Sequence, residues 1–310
     1  MFKASPRENA HVIIQRMAPA KINLFLRTRG LRPDGFHNLD TVMIALDLAD
    51  TLEILPASEL TLTSPMGLTL EEDLAGRAAL ALRGNRDLPG AHLRIDKAIP
   101  SGGGLGGGSS NAAAALIALD QYWDLQTPFE QLLSLAASLG SDVPFFLAGQ
   151  TCIAGGRGEQ LRVIPATPLT LYGLLLFPGI PVSTPSAFGW LDNDGLAQDP
   201  SGGDRLAPLL RALVSGHAQG VLDNLYNSFT HPVGSRCNPI QRGLDYLAAS
   251  GLHPLLCGSG STVIGLSDRL EVCEQAAEAA PYPTQTVRLL NQFPGCAHAA
   301  GLPKATPDRA

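Results

Sequence analysis

Lysine is almost missing from this chain: Lys3, Lys21, Lys97 and Lys304 stand against eighteen arginines. Where so scarce a residue falls inside a motif, the expected reason is a compact point charge that arginine's fork does not replace. Cysteine is sparse as well. Cys152, Cys237, Cys257, Cys273 and Cys296 are odd in number and include no C-x-x-C pair. A disulfide framework or a zinc site is therefore not expected, and reduced thiols in the cytoplasm fit better. Long apolar runs are also absent; the longest obvious one, Leu174-Leu175-Leu176-Phe177, is far too short to span a membrane. Met1 to Ala10 is polar and lacks the apolar region of a signal peptide. There is no basic excess: the net charge is −6, so a nucleic-acid partner, which needs a basic face, is not expected.

With 45% hydrophobic and only 16% charged residues, the chain is not of the disordered class. At 310 residues, two domains are the expectation. The composition fixes no oligomeric state.

Glycine is plentiful, and half of the twelve residues Pro100-Ser101-Gly102-Gly103-Gly104-Leu105-Gly106-Gly107-Gly108-Ser109-Ser110-Asn111 are glycine. Upstream, His92-Leu93-Arg94-Ile95 alternates as a half-buried strand does. Downstream, Ala112 to Tyr122 is rich in Ala and Leu and reads as a helix. A long glycine loop costs chain entropy. In return it offers bare N–H groups that a ligand can approach, and at a helix N-terminus those donors favour a phosphate. Ser109, Ser110 and Asn111 stand at the helix start, either as caps or as ligands for a nucleotide phosphate or its metal. No Lys-Ser or Lys-Thr follows the glycines, which excludes a Walker A loop. A dinucleotide fingerprint on Gly102, Gly104 and Gly107 is weak, because Asp120, the acidic residue at the right distance, lies inside the predicted helix.

Ala18-Pro19-Ala20-Lys21-Ile22-Asn23-Leu24 leads into an extended run in which Lys21 and Asn23 share a face. Lys21 is either a solvated charge or a functional one. Arg32-Pro33-Asp34-Gly35 is a turn, with Phe36 and His37 at its tip. There Phe36 either stacks on a planar ligand or folds back onto the core. Strands are expected over Thr41–Leu48 and Asp50–Leu55, then a polar hairpin region to Leu70 and a helix over Glu72–Arg83. Thr127 and Glu130 predict a capping box for the next helix. Asp142, in Ser141-Asp142-Val143-Pro144, is placed to cap a short helix, to act as a catalytic carboxylate, or both. Gly155-Gly156-Arg157-Gly158 is a tight turn. Beyond Pro165, residues 191–204 read as a polar loop, Asn238 caps a helix, and Gly258-Ser259-Gly260-Ser261 forms a second glycine turn. A tail is expected after Ala297.

Taken together, the Pro100–Asn111 loop, Ala-Pro-Ala-Lys-Ile-Asn-Leu, Gly35-Phe36-His37, Gly140-Ser-Asp-Val-Pro and Gly258-Ser-Gly-Ser resemble the GHMP kinase superfamily. Within it they are most similar to the branch that acts on a cytidyl-linked methylerythritol in non-mevalonate isoprenoid synthesis. The resemblance runs from about residue 16 to 297. It implies an α+β, two-domain fold, divided at residues 1–164 and 165–310, with the active site in the inter-domain cleft. It implies ATP with Mg²⁺ as cofactors, a small cytidyl molecule as substrate, and no dedicated metal-ligating residues. Carried over position by position, Lys21 and Asp142 are the catalytic pair. The glycine loop, Pro100 to Asn111, holds ATP with Lys97 near the nucleotide. Asn23 contacts substrate, His37 meets the cytosine edge, Phe36 and Phe188 sandwich the ring, and Thr184 lines the substrate cleft. Two departures stand out: Phe36 replaces the tyrosine common in the family, and Glu72-Asp73-Leu74 replaces Asp-Asn-Leu near the adenine pocket.

Overall fold

A computed structural model describes residues 14–165, 167–198, 203–294 and 302–305. Strand β1 is Ile14–Leu31 and β2 is His37–Pro56; they form one long antiparallel ribbon. The expected breaks near residue 49 do not occur, because Leu46, Leu52 and Ile54 keep burying one face. Strands β3 (Thr61–Thr63) and β4 (Ala91–Asp96) flank helix α1 (Leu74–Arg83). β3 pairs parallel to β4, so the predicted hairpin is instead a crossover through α1.

Helix α2 is Gly107–Tyr122, α3 is Phe129–Leu139 and α4 is Val143–Ala148. The hairpin β5 (Cys152–Gly155) and β6 (Gln160–Val163) follows, then β7 (Tyr172–Leu176) and α5 (Thr184–Asn193). Next come α6 (Gly203–Ser215), α7 (Ala218–Leu222), β8 (Tyr226–Asn227), α8 (Thr230–Gly234) and α9 (Asn238–Ala249). The described fold closes with β9 (His253–Leu256), β10 (Val263–Ser267), α10 (Leu270–Glu278) and β11 (Thr284–Leu290). The expected α+β class holds. Among the described residues the sheet path is β3-β4-β2-β11-β7-β10-β9. Strand β11 joins its two halves, pairing Leu289 with Leu46 of β2 and Val287 with Gly173 of β7.

Among the described residues there are three apolar clusters. One lies under α1 to α4 and includes Leu116, Leu119 and Phe145. A second is centred on Ile22, Phe25 and Ile44, and a third packs Phe229, Ile240 and Leu247 beside α5.

Several local expectations are corrected. Helix α2 begins five residues before Ala112, at Gly107, and takes in the end of the glycine loop. Buried alanines on its downstream face anchor it, and that packing outweighs the glycines' low propensity. Thr127 does not cap α3: the N-cap is Pro128, and the buried Thr127 hydroxyl has no partner. Asn238 lies inside α9, whose N-cap is Cys237. The expected loop over 191–204 narrows, since α5 runs to Asn193 and α6 starts at Gly203. Most of the expected tail lies outside the described residues. Part of that tail does pack: Leu302 and Ala305 are buried, and the Val163 amide donates to the Pro303 carbonyl at 2.9 Å.

Burial pushes the Cys152 and Cys257 thiols up to about 12 and the Cys273 thiol up to about 11. A thiolate is the reactive form. Titration with a disulfide reagent at neutral pH is therefore expected to leave these three unmodified until denaturant is added. Rapid native labelling of Cys257, identified by peptide mapping, would contradict this burial.

Candidate active site

The Ala18-Pro19-Ala20 segment does not end β1. It is absorbed as an irregularity: register shifts fall between Pro19 and Lys21 and again between Asn23 and Phe25. Proline removes a ladder donor and is accommodated at such bulges, and bulges re-aim side chains. Lys21 is thereby turned inward and is 4% exposed. Its Nζ donates to Asn23 Oδ1 at 2.8 Å, and Asn23 Nδ2 donates to Thr41 Oγ1 at 2.8 Å. Thr41 in turn donates to the Phe25 carbonyl at 2.8 Å, which fixes the amide's orientation.

Lys21 Nζ also lies 3.2 Å from Asp142 Oδ2. Asp142 occupies the N-cap position of α4, but its backbone is helical and its side chain makes no capping bond. Helix α4 is held by burial of all six of its residues, so the carboxylate is free to face Lys21. Both residues that the resemblance paired are thus in contact, and the capping alternative for Asp142 is not realised.

The glycine loop rests on the same lysine. The Lys21 amide donates to the Leu105 carbonyl at 2.9 Å, and a Cβ on Gly106 would sit 2.9 Å from Lys21 Cγ. Gly102, Gly104 and Gly106 alternate at φ 72°, 80° and 73°, the left-handed region. No side chain caps α2, whose N-cap is Gly106, so Ser109, Ser110 and Asn111 are not caps. The first N–H groups of the helix are thereby left for an anion.

Behind the loop stands an arrangement with no sequence signal. Asp50, fully buried on β2, accepts from the Ala98 and Ile99 amides at 2.8 Å each, from Asn111 Nδ2 at 3.0 Å, and from Lys97. Lys97 Nζ also donates to Asn111 Oδ1 at 3.1 Å. Lys97 and Asn111 therefore brace the loop through Asp50. The Ser110 hydroxyl is buried beside them with no partner, while Leu105 is part of the core. Ser101 Oγ contacts Met66 Sδ at 3.3 Å. Asp73 spends its carboxylate on capping α1, accepting from the Ala75 amide at 2.8 Å.

The second glycine turn packs directly on the loop. A Cβ on Gly104 would lie 1.9 Å from the Cys257 carbonyl oxygen.

Lys21 and Asp142 open into a cleft of about 690 Å³. Asn23, Phe36, His37, Gly104, Gly106, Ser109, Thr184 and Phe188 also line it, whereas Lys97 and the other loop residues do not. His37 opens β2 after the predicted turn, and its Nε2 is 2.7 Å from Asp192 Oδ1 on α5. Its ring stacks on Phe188 at 4.7 Å, and Phe188 meets Phe229 edge-on at 4.8 Å. Phe36 is 52% exposed and so is not folded onto the core. Thr184 Oγ1 is 3.1 Å from Ser259 Oγ of the second glycine turn. Sequence reasoning missed Asp50, Thr41 and Asp192; each acts through a partner distant in the chain, and only His37 offered a hint of Asp192.

This arrangement can bind an anion at the loop, take a planar group against the exposed Phe36 ring, and hold a hydroxyl beside a carboxylate. The family model for the GHMP kinases N terminal domain matches residues 73–150. A 4-diphosphocytidyl-2-C-methyl-D-erythritol kinase of Pelotomaculum thermopropionicum is 40% identical over 280 residues, covering 86% of this chain and 93% of the relative. The enzyme of that name from Deinococcus radiodurans is 40% identical over 275 residues, covering 86% and 89%. A crystal structure of 4-(cytidine 5'-diphospho)-2C-methyl-D-erythritol kinase is 34% identical, with a TM-score of 0.75 over 89% of this chain and 99% of that one. A homoserine kinase from Cytophaga hutchinsonii, 16% identical at a TM-score of 0.70, shares the fold alone.

Proposed function

This chain belongs to the 4-diphosphocytidyl-2-C-methyl-D-erythritol kinase family, and from that premise we propose how its cleft moves a phosphoryl group from ATP to the substrate's 2-hydroxyl. The product feeds non-mevalonate isopentenyl diphosphate synthesis. One observation carries the mechanism: the Lys21–Asp142 pair, 3.2 Å apart, shares a cleft with the aromatic group of Phe36, His37 and Phe188.

Phosphoryl transfer leaves a protein mainly positioning and electrostatic work. Asp142 accepts the proton of the attacking hydroxyl. Lys21 holds that carboxylate in place and offsets the negative charge growing at the reacting oxygen. Asn23, oriented through Thr41, presents its amide to the sugar alcohol. Phe36 and Phe188 stack on cytosine, His37 meets the edge of the base, and Thr184 closes the side of the cleft. The glycine loop from Pro100 to Asn111 cradles the triphosphate with its backbone, while Lys97 serves it from behind. Cleft residues come from both sides of residue 164, in keeping with the proposed two-domain division.

Among the described residues no group of three His, Cys, Asp or Glu forms a metal cage. Mg²⁺ keeps several waters and phosphate oxygens and needs few protein ligands. The partnerless Ser110 hydroxyl, in the first turn of α2, is the group that would hold it. Bound there, the ion offsets charge on the phosphates. No described helix is long and apolar enough to cross a membrane.

The direct test is a phosphoryl-transfer assay with Mg-ATP against the cytidyl substrate, mevalonate and homoserine. Turnover of the cytidyl substrate alone is expected; turnover of either other alcohol without it would sink the reading.

Ring recognition has its own test. Phe36→Ala is expected to cost about 1–3 kcal/mol of substrate binding, the scale of base–aromatic stacking. KM for the cytidyl substrate then rises about 5- to 150-fold. Because Phe36 is half exposed, the melting temperature and KM for ATP should stay near wild type. An unchanged substrate KM would remove Phe36 from the site.

A further inference from the structure

The tight turn Gly155-Gly156-Arg157-Gly158 between β5 and β6 carries a charge that the mechanism above does not use. Arg157 lines the cleft, and its guanidinium lies over the Phe36 ring, 4.8 Å from the centroid. Lys21, which also lines the cleft, is engaged with Asp142, and the arginines of the neighbouring ribbon are engaged too: Arg27 and Arg29 with Asp40, and Arg32 with Asp34. Glu159, the nearest acid in sequence, folds back to accept from the Arg157 backbone amide at 2.7 Å. Among the described residues no carboxylate is paired with the Arg157 guanidinium.

The turn also occupies a particular place along the cleft. At one end Arg157 covers Phe36, which the proposed function assigns to the cytosine. At the other, a Cβ on Gly158 would lie 3.7 Å from Ser141 Cβ, next to Asp142. The turn is pinned between these ends, since the Gly156 carbonyl accepts from the Leu39 amide at 2.7 Å. A cytidyl-linked sugar alcohol has its base at one end, its reacting hydroxyl at the other, and a diphosphate between them.

We infer that the Arg157 guanidinium holds the diphosphate of the cytidyl substrate, an inference that rests on the kinase reading above. Stacking on Phe36 orients the flat guanidinium while leaving its in-plane N–H donors free. Those donors match phosphate oxygens as a fork, which a lysine at the same position does not reproduce. The cleft's own balance favours such a cation: Asp142 and Asp192 both line it, and Lys21 already answers the first.

The test is calorimetric titration with cytidine and with cytidine diphosphate, in the presence of a saturating non-hydrolysable ATP analogue that fills the nucleotide loop. In wild type the diphosphate is expected to bind more tightly than cytidine. Arg157→Ala should weaken the diphosphate about 10- to 100-fold, the scale of a lost charge-assisted hydrogen-bond pair. Cytidine affinity and KM for ATP should stay within about twofold of wild type, since neither ligand is assigned to Arg157. Arg157→Lys, which retains the charge, should fall between. Equal losses for cytidine and its diphosphate, or no loss for either, would overturn the inference and leave the kinase reading standing. A wild-type protein that binds neither probe would overturn both.

Discussion

Replacing Asp142 with asparagine is expected to lower kcat by about 10²–10⁴ while the fold and ATP binding survive. Asparagine keeps the size and an accepting oxygen but cannot take a proton and carries no charge. The substitution separates two roles that one position can serve. At a helix N-cap, asparagine is about as good as aspartate, so a purely structural Asp142 would leave activity intact. In the fold the Asp142 side chain makes no capping bond and instead faces Lys21 at 3.2 Å. Its side chain is 34% exposed toward the cleft, so water reaches the carboxylate, and the asparagine oxygen can still accept from the buried Lys21. Lys21→Ala should lower kcat as well. The double variant should be little worse than either single one, because residues that act as a unit are not additive. Near-normal kcat in Asp142→Asn, measured with both substrates saturating, would return the residue to a structural role.

Gly104→Ala carries the second large effect, and it acts on the backbone. Gly104 stands at φ 80°, and a Cβ there would meet the Cys257 carbonyl oxygen at 1.9 Å and its carbon at 2.8 Å. Both obstacles are main chain, so no rotamer change relieves them. Left-handed strain in alanine adds to the overpacking, and together they destabilise by about 2–5 kcal/mol. Relief requires the glycine loop to move away from the Gly258 turn. Because the Leu105 carbonyl also receives the Lys21 amide, the displacement reaches the catalytic pair. Both the melting temperature and kcat/KM for ATP are expected to fall. Gly102→Ala is the matched control: its φ is 72°, but nothing lies within 4 Å of the new methyl. It should cost only about 1–2 kcal/mol of backbone strain. Equally mild behaviour in the two variants would mean that the contact between the two glycine turns is dispensable.

Much of the site could be read from local sequence, for physical reasons specific to each residue. The period of a strand places Lys21 and Asn23 on one face, and the observed hydrogen bond between them follows from that spacing. The Pro-Asp-Gly turn delivers Phe36 and His37 at its tip. The α+β class came instead with the family resemblance that these motifs carry. What escaped the sequence depends on distant partners. Asp50 reads as one residue in a long strand, yet it collects the amides of Ala98 and Ile99 and two side chains. Asp192 joins His37 across 155 positions. The start of α2 was misplaced because glycine's low helix propensity is a local property, whereas burial of the helix is a tertiary one. Capping expectations failed at Thr127 and Asn238 for the same reason: the type of residue was suitable, but the packing set the helix ends elsewhere.

The most direct test of the account is the phosphorus-31 NMR spectrum of the reaction product. If stacking at one end of the cleft sets the sugar alcohol's hydroxyl beside Asp142, one new phosphate monoester should appear per ADP formed, with the substrate diphosphate intact. Attached at the 2-hydroxyl, on a carbon bearing the methyl group and no hydrogen, that monoester should show no splitting from a proton on the ester carbon. A monoester split by such protons, or ADP released with no new monoester, would contradict the account.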